Sequence, residues 1–348
     1  GPDALTQQAL KQLDPDTRKQ VKQARQETAE AQRERLEDKK TFLRETFDED
    51  QLRSIAEEIF EYDSILQEGV YSETLAELAD EARSRRDLNA PTIDRYVDRA
   101  RDLNFAEVRL IENFPITTAV YGYSRVTPES EDGVRLRPFH SESEDRHRDE
   151  VYVQNNETEA IMLTLNHEAV VNWLDRNLQN FDAPDDDLRE WALKTLTPSN
   201  DNPIYPRFSP IDRTAPERLV LSLLHTLSHL VLNTMDALSG YAGNSLVEYT
   251  FPRSLSFVVY KRSQTDFSLG SMFTMVENRF DQICDYLSDE ARTCMYDPLC
   301  EREENSACEG CLYISGRSCS HGNHNLGRSV VYGGEFDDGC IETGFLDV

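Results

Sequence analysis

Apolar residues recur every three or four positions in QLRSIAEEIFEYDSIL (51–66) and SETLAELADEARSRR (72–86), the spacing that gives a helix one face to bury. Both are predicted as packed helices. Upstream, ALTQQALKQL and the run from Thr17 to Lys40 also read as helical, but the run carries little apolar seam: it is a solvated helix or an arm that packs on a partner. APTIDRYVDRARDLNF (90–105) begins with Pro91, places Thr92 as a cap, and predicts a further helix. The period then changes. VRLIENFPITTAVYGYSRVTP and VRLRPF mix β-branched and aromatic residues with turn signals, and strand character returns in VYVQ and EAIMLTL. Between them the acidic Ser141 to Glu150 segment reads as a surface loop. HEAVVNWLDRNL and APDDDLREWALKTL are again helical, and SNDNPIYPRFSP is a proline-rich connection.

From Ala215 to Tyr241 the chain is apolar on nearly every face, which predicts a buried central helix ending near Gly240. SLSFVVYKRS reads as an internal strand, and MFTMVENRFDQICDYLSDEA as a helix leading into a cysteine-rich tail. These elements predict an α+β fold: a helical N-terminal region (4–103), a mixed α+β middle region (104–214) and a mixed α/β C-terminal domain (215–348). Residues 1–3 are set aside, because Gly1-Pro2 reads as the remnant of a cleaved tag.

The 348 residues are 38% apolar, enough for a real core, yet the net charge is −28. That acid is spread along most of the chain, and the lysines are only Lys11, Lys19, Lys22, Lys39, Lys40, Lys194 and Lys261. Such a balance resembles the salt-adapted cytosol of a haloarchaeon, so the charge speaks of habitat rather than ligand. Nucleic acid is not excluded, since binding depends on a local basic patch rather than on the sum. No run approaches the ~18 apolar residues of a membrane span and no charged-then-apolar leader is seen, so the chain reads as cytoplasmic.

Five of the seven cysteines fall between Cys294 and Cys319, spaced C-x5-C-x7-C-x2-C-x7-C at Cys294, Cys300, Cys308, Cys311 and Cys319. In a reducing cytosol, thiolates gathered by short loops form a closed tetrahedral zinc site rather than disulfides. Cys308-Glu-Gly-Cys311 is the tight half of such a site. An iron–sulfur cluster is the alternative, because thiolate ligands alone do not fix the metal. Four ligands suffice, so one cysteine is spare. Cys294, Cys300, Cys308 and Cys311 are the first choice, Cys319 the main rival for a place, and His321 or His324 weaker ones. Cys284 reads as an ordinary helix thiol and Cys340 as a bystander.

His225-Thr-Leu-Ser-His229 puts two imidazoles on one helical face, but a zinc protease needs glutamate where Thr226 stands; hydrogen-bonded core or interface histidines are the expectation. The chain has no G-x-x-x-x-G-K-[ST] phosphate loop, no H-x-K nuclease signature and no G-x-S-x-G elbow. No catalytic residue is therefore predicted. Arg83, Arg85, Arg86, Arg95, Arg99 and Arg101 interleave with Asp94, Asp98 and Asp102, which favours intramolecular ion pairs at least as much as phosphate contact. Arg125, Arg135 and Arg137 lie among Tyr121, Tyr123 and Phe139, where arginines hold phosphates and aromatics stack on bases; these three are the candidate nucleic-acid-binding residues.

In order, LLHTLSHLVL, GYAGNSLVEYTF, FVVYKRSQTDFSLGSM, CMYDPLC, ACEGCLY and SCSHGNHNLGR resemble the C-terminal zinc-binding domain shared by MrfA-type helicases and the DrmB proteins of DISARM anti-phage systems. The resemblance is stronger to DrmB, with its D-P-L-C, A-C-x-x-C-L and S-C followed by N-x-x-L-x-R. It runs from about Pro216 to Gly334, and more weakly back through EAIMLTLNHEAVVNW and VYGYSRVTP toward residue 110. Gly327 stands where that family usually has aspartate. The resemblance implies a structural zinc, with Cys308 and Cys311 matching the last ligand pair of the related helicases. It also implies a subunit without a motor of its own that works beside a separate superfamily 2 helicase (DrmA-like) and engages DNA. The expectation is thus a non-catalytic accessory subunit. The alternatives are a metal-dependent nuclease or hydrolase using His225 and His229, or a pure protein adaptor that never touches DNA.

Overall fold

The computed structural model describes residues 41, 44–45, 47–66, 71–83, 89–125, 135–140, 149–179, 181–184, 188–196, 216–239, 245–262, 271–302, 304–319, 321–336 and 339–348. The helices expected within 4–40, the proline-rich connection at 199–210 and most of the acidic loop lie outside them. Nine helices are described: α1 (Glu49–Ile65), α2 (Leu75–Ala82), α3 (Ala90–Asp102), α4 (His167–Asn177), α5 (Leu188–Thr195), α6 (Pro216–Ser239), α7 (Ser271–Ser288), α8 (Leu299–Arg302) and α9 (Arg328–Tyr332). The strands are β1 (Ser72–Thr74), β2 (Phe105–Val120), β3 (Gly122–Arg125), β4 (Arg135–His140), β5 (Asp149–Glu150), β6 (Tyr152–Leu165), β7 (Leu246–Phe251), β8 (Ser256–Lys261), β9 (Gly334–Phe336) and β10 (Gly339–Ile341). The fold is mixed α and β, as the hydrophobic pattern predicts.

A five-stranded antiparallel sheet of order β1-β2-β6-β8-β7 organises the molecule. Successive strand residues point to opposite faces, and here both faces are covered. Leu110, Ile161, Leu163, Phe257 and Val259 pack into the main core with residues of α3, α6 and α7. Their alternates Ile111, Ala160, Met162 and Val258 pack on the other face against Ile65 and Tyr62 of α1. Two-sided burial explains why EAIML and SFVV read as near-continuous apolar runs. Helix α6 lies at the heart of the main core, buried from Arg218 to Leu232.

Polar contacts hold the periphery. On the α1 face, Glu58 accepts from the Arg253 backbone N–H at 2.8 Å and its guanidinium at 2.5 Å, with only 3% of the Arg253 side chain exposed. Burial pushes the Glu58 carboxyl above its ordinary range, and Arg253 pulls it back only in part. Arg95 and Arg99 of α3 reach Asp281 and Asp285 of α7 at 3.0 and 2.7 Å, Arg83 pairs with Asp80 and Asp94, and Arg101 with Asp98. These arginines are committed within the protein; Arg85 and Arg86 lie outside the described residues. The C-terminal end is fastened to the middle of the chain: Trp173 donates to the Thr343 carbonyl at 3.0 Å, Phe345 meets the Trp173 ring edge-on, and Asn104 donates to the Phe345 carbonyl at 2.9 Å.

Four details differ from the sequence reading. VYVQ and EAIMLTL belong to one strand, β6, because the ladder with β2 continues through the polar residues Gln154 to Glu157, which need no core to hold register. SET at the start of the second predicted helix is strand β1, and Thr74 caps α2: it accepts from Glu77 N at 3.1 Å while Glu77 accepts from Thr74 N at 2.8 Å, a capping box. Thr92 is not a cap; α3 begins one turn earlier, with Asn89 at the N-cap and Thr92 N donating to its carbonyl. Residues Leu246–Phe251, for which the pattern predicts no strand, form β7.

Beyond Phe114 and Thr158, β2 and β6 continue as a paired arm whose residues are largely exposed on both faces. At about 3.3 Å per residue, pairing out to Val120 and Tyr152 gives an arm roughly 20 Å long. It passes into the three-stranded sheet β3-β4-β5, with Phe139 N donating to Tyr121 O at 3.0 Å.

Candidate metal centre

The chain leaves α7 through a 3-10 turn (Glu290–Arg292) into Cys294. A tight turn follows, with Asp297 N donating to Cys294 O at 2.9 Å and the Asp297 carboxylate accepting from Cys294 N at 2.6 Å. Helix α8 carries Cys300, and a second turn brings Cys308 and Cys311 together, with Cys311 N and Leu312 N donating to Cys308 O. All four sulfurs lie within 4.8 Å of one another. The pairs Cys294–Cys308, Cys300–Cys311 and Cys308–Cys311 are 3.5, 3.7 and 3.7 Å apart.

Those separations discriminate between chemistries. A disulfide needs about 2.05 Å between sulfurs, and these cysteines are free. A tetrahedron with Zn–S of about 2.3 Å puts its sulfurs ~3.8 Å apart, close to what is seen. A polynuclear iron–sulfur cluster spreads its thiolates further than a single ion does. The set Cys294, Cys300, Cys308 and Cys311 could therefore hold a metal ion such as zinc. Tyr296 N points at Cys294 Sγ (3.4 Å) and Gly310 N at Cys308 Sγ (3.3 Å), so a backbone N–H is directed at each of these sulfurs. Burial pushes the Cys300 thiol up to about 11 and Cys311 higher still. At Cys308 burial is outweighed by the Gly310 N–H and the adjacent thiols, which bring it below the ordinary thiol range.

Arg328, 4% exposed, braces this group from α9. It donates to both Asp297 oxygens (2.8 and 3.3 Å), to the carbonyls of Ser306 (3.0 Å) and Arg292 (2.8 Å), and lies 3.7 Å from Cys300 Sγ. Its role is not legible from the sequence around it, although it is the arginine of the N-x-x-L-x-R stretch. Its neighbour Gly327 is packed so closely that a Cβ would sit 2.9 Å from the Phe336 ring and 3.0 Å from Asn305 Cβ. That crowding is a physical reason for glycine at this position.

Cys319 is not among the four thiols. Its sulfur lies 3.1 Å from His225 Nε2, and His225, His229, Glu248 and Cys319 form a second group with ligand atoms within 4.8 Å. Both histidines are core residues, 1% and 0% exposed. Burial, then His229 and His321, hold His225 well below the ordinary imidazole range; burial brings His229 down to about 4. Both rings are neutral at pH 7. His321 lies beside them, its ring 4.9 Å from that of His225, whereas His324 is exposed. Cys284 is buried in α7 and Cys340 exposed in β10.

The candidate nucleic-acid residues lie on β3 and β4, in the small sheet into which the arm passes. Arg125 and Arg135 are register partners, and Arg137 pairs with Tyr123. Tyr123, Phe139 and Tyr152 form a row with ring centroids 6.3 and 5.5 Å apart, and Tyr121, Tyr123 and Tyr152 are 52, 44 and 62% exposed.

No protein-family model matches the chain. Over 126 residues it is 30% identical to the DISARM protein DrmB of Bacillus paralicheniformis. The chain is similar to DrmB. The matched stretch covers 32% of this chain and 22% of DrmB, so the likeness is distant and spans about a fifth of that protein's length. Among the described residues no helix is long and apolar enough to cross a membrane.

Proposed function

We propose that the chain acts in anti-phage defence as a non-catalytic, DNA-engaging scaffold beside a separate DrmA-like helicase, with zinc bracing its C-terminal segment. The similarity to the DISARM protein DrmB carries this reading. The end of the arm and the small sheet beyond it add to this: exposed Tyr123 and Tyr152, with Phe139 between them and Arg137 alongside, offer rings for bases and a cation for phosphate. In the cytosol of a salt-adapted cell, screening within a few ångströms leaves stacking to supply more of the affinity than charge. The motor is assigned to a partner because this sequence has no phosphate-loop motif. A hydrolase built on His225 and His229 finds no support, since both rings are sealed in the core.

Mobility-shift titrations with single- and double-stranded DNA at several salt concentrations test the reading. The expected result is binding that Tyr123→Ala or Tyr152→Ala weakens by about tenfold, since each base–aromatic stack contributes ~1–3 kcal/mol. Absence of any shift at low salt, with retained co-purification of the helicase, would establish a protein adaptor instead.

A further inference from the structure

We propose a second metal site, separate from the four-cysteine group: a divalent cation of zinc type held by His225, His229, Glu248 and Cys319. Three elements converge on it. Helix α6 contributes the histidines four residues apart on one face, β7 contributes Glu248, and the loop after the four-cysteine group contributes Cys319. The four residues are 1, 0, 0 and 7% exposed.

Hydrogen bonding prepares each donor atom as a metal site does. His229 Nδ1 lies 2.8 Å from the Leu312 carbonyl, so that nitrogen carries the proton and Nε2 the lone pair. That Nε2 is fully buried and has no hydrogen-bond partner among the described residues. An ordinary core histidine would satisfy it, because an unmade bond at a buried polar atom costs about 1–3 kcal/mol. A cation at the centre of the group meets the lone pair directly.

Cys319 repeats the backbone pattern of the four-cysteine group. His321 N and Asn323 N point at its sulfur at 3.3 and 3.2 Å, as Tyr296 N does for Cys294 and Gly310 N for Cys308. The Asn323 side chain clamps both the N–H (3.1 Å) and the carbonyl (2.8 Å) of Ile314, which sets the loop's shape. Glu248 N donates to the Ser318 carbonyl at 3.1 Å and ties β7 to the same loop. His321 stands outside the group, its Nε2 3.3 Å from Thr250 Oγ1.

Two imidazoles, one thiolate and one carboxylate suit zinc. Four protein ligands in a sealed interior leave no place for substrate, so the ion would join α6, β7 and the loop rather than catalyse. This inference does not rest on DNA binding or on the first site.

X-ray absorption at the zinc edge of the full reduced chain, with metal counted by mass spectrometry, tests it. The expected wild-type result is two metal equivalents and a zinc shell mixing nitrogen or oxygen with sulfur. Cys308→Ser should retain one equivalent with a mainly nitrogen and oxygen shell, and His229→Gln one equivalent with an all-sulfur shell. An all-sulfur shell in the wild type, or no zinc at all, would overturn the proposal. Should either variant fail to fold, the wild-type shell decides alone.

Discussion

Arg328 joins three stretches of backbone to the thiol group: its fork spans the Asp297 carboxylate, the Ser306 and Arg292 carbonyls and the flank of Cys300. Residues that orient metal ligands typically influence affinity by 10- to 100-fold. Arg328→Met should therefore weaken zinc binding by about that factor in chelator competition. Arg328→Lys should not restore it, since an ammonium cannot reproduce a bidentate fork. At this scale the sequence was informative where spacing carries the chemistry. Cys308 and Cys311, two residues apart, are legible as a pair, and Cys294 and Cys300 follow within a short segment. Arg328 was not legible, because nothing in its own neighbourhood reveals that its partners come from three earlier turns. Glu248 was hidden similarly: a carboxylate within LVEYTF says nothing of histidines more than fifteen residues upstream.

Elements were legible to the extent that burial was one-sided or complete. Helices α3 and α4 show their apolar stripes, and α6 declares itself by being apolar throughout. Strand β7 was missed because Glu248 and Thr250 break its apolar run, although Glu248 is wholly buried. Strand β6 reads as two pieces in the sequence because its polar half, exposed from Tyr152 to Glu157, has no core to advertise. Local capping chemistry is also visible once the boundary is known. Thr74→Ala removes the side-chain half of the capping box on α2, and should lower stability by about 1 kcal/mol in urea denaturation. The effect is expected to leave the cooperativity of the transition unchanged, since α2 packs into the main core through Leu75, Leu78, Ala79 and Ala82.

For the whole molecule, the central sheet joins strands from both sides of the connection around residue 200, whereas much of the tail after α7 is turns and very short elements. A fold of that kind depends on cross-links more than on regular backbone bonding. Metal removal should therefore raise amide hydrogen exchange first in residues 294–332, while β2, β6 and β8 keep their protection. Simultaneous loss of protection across the sheet would show the metal to be integral to the entire core. The joint between Trp173 and the tail has a different consequence. The indole N–H rests on the Thr343 carbonyl and Phe345 covers the ring. Trp173 is one of two tryptophans in the chain and is wholly buried, so its fluorescence provides an intrinsic optical gauge: a red shift in emission would register the moment the last few residues peel away.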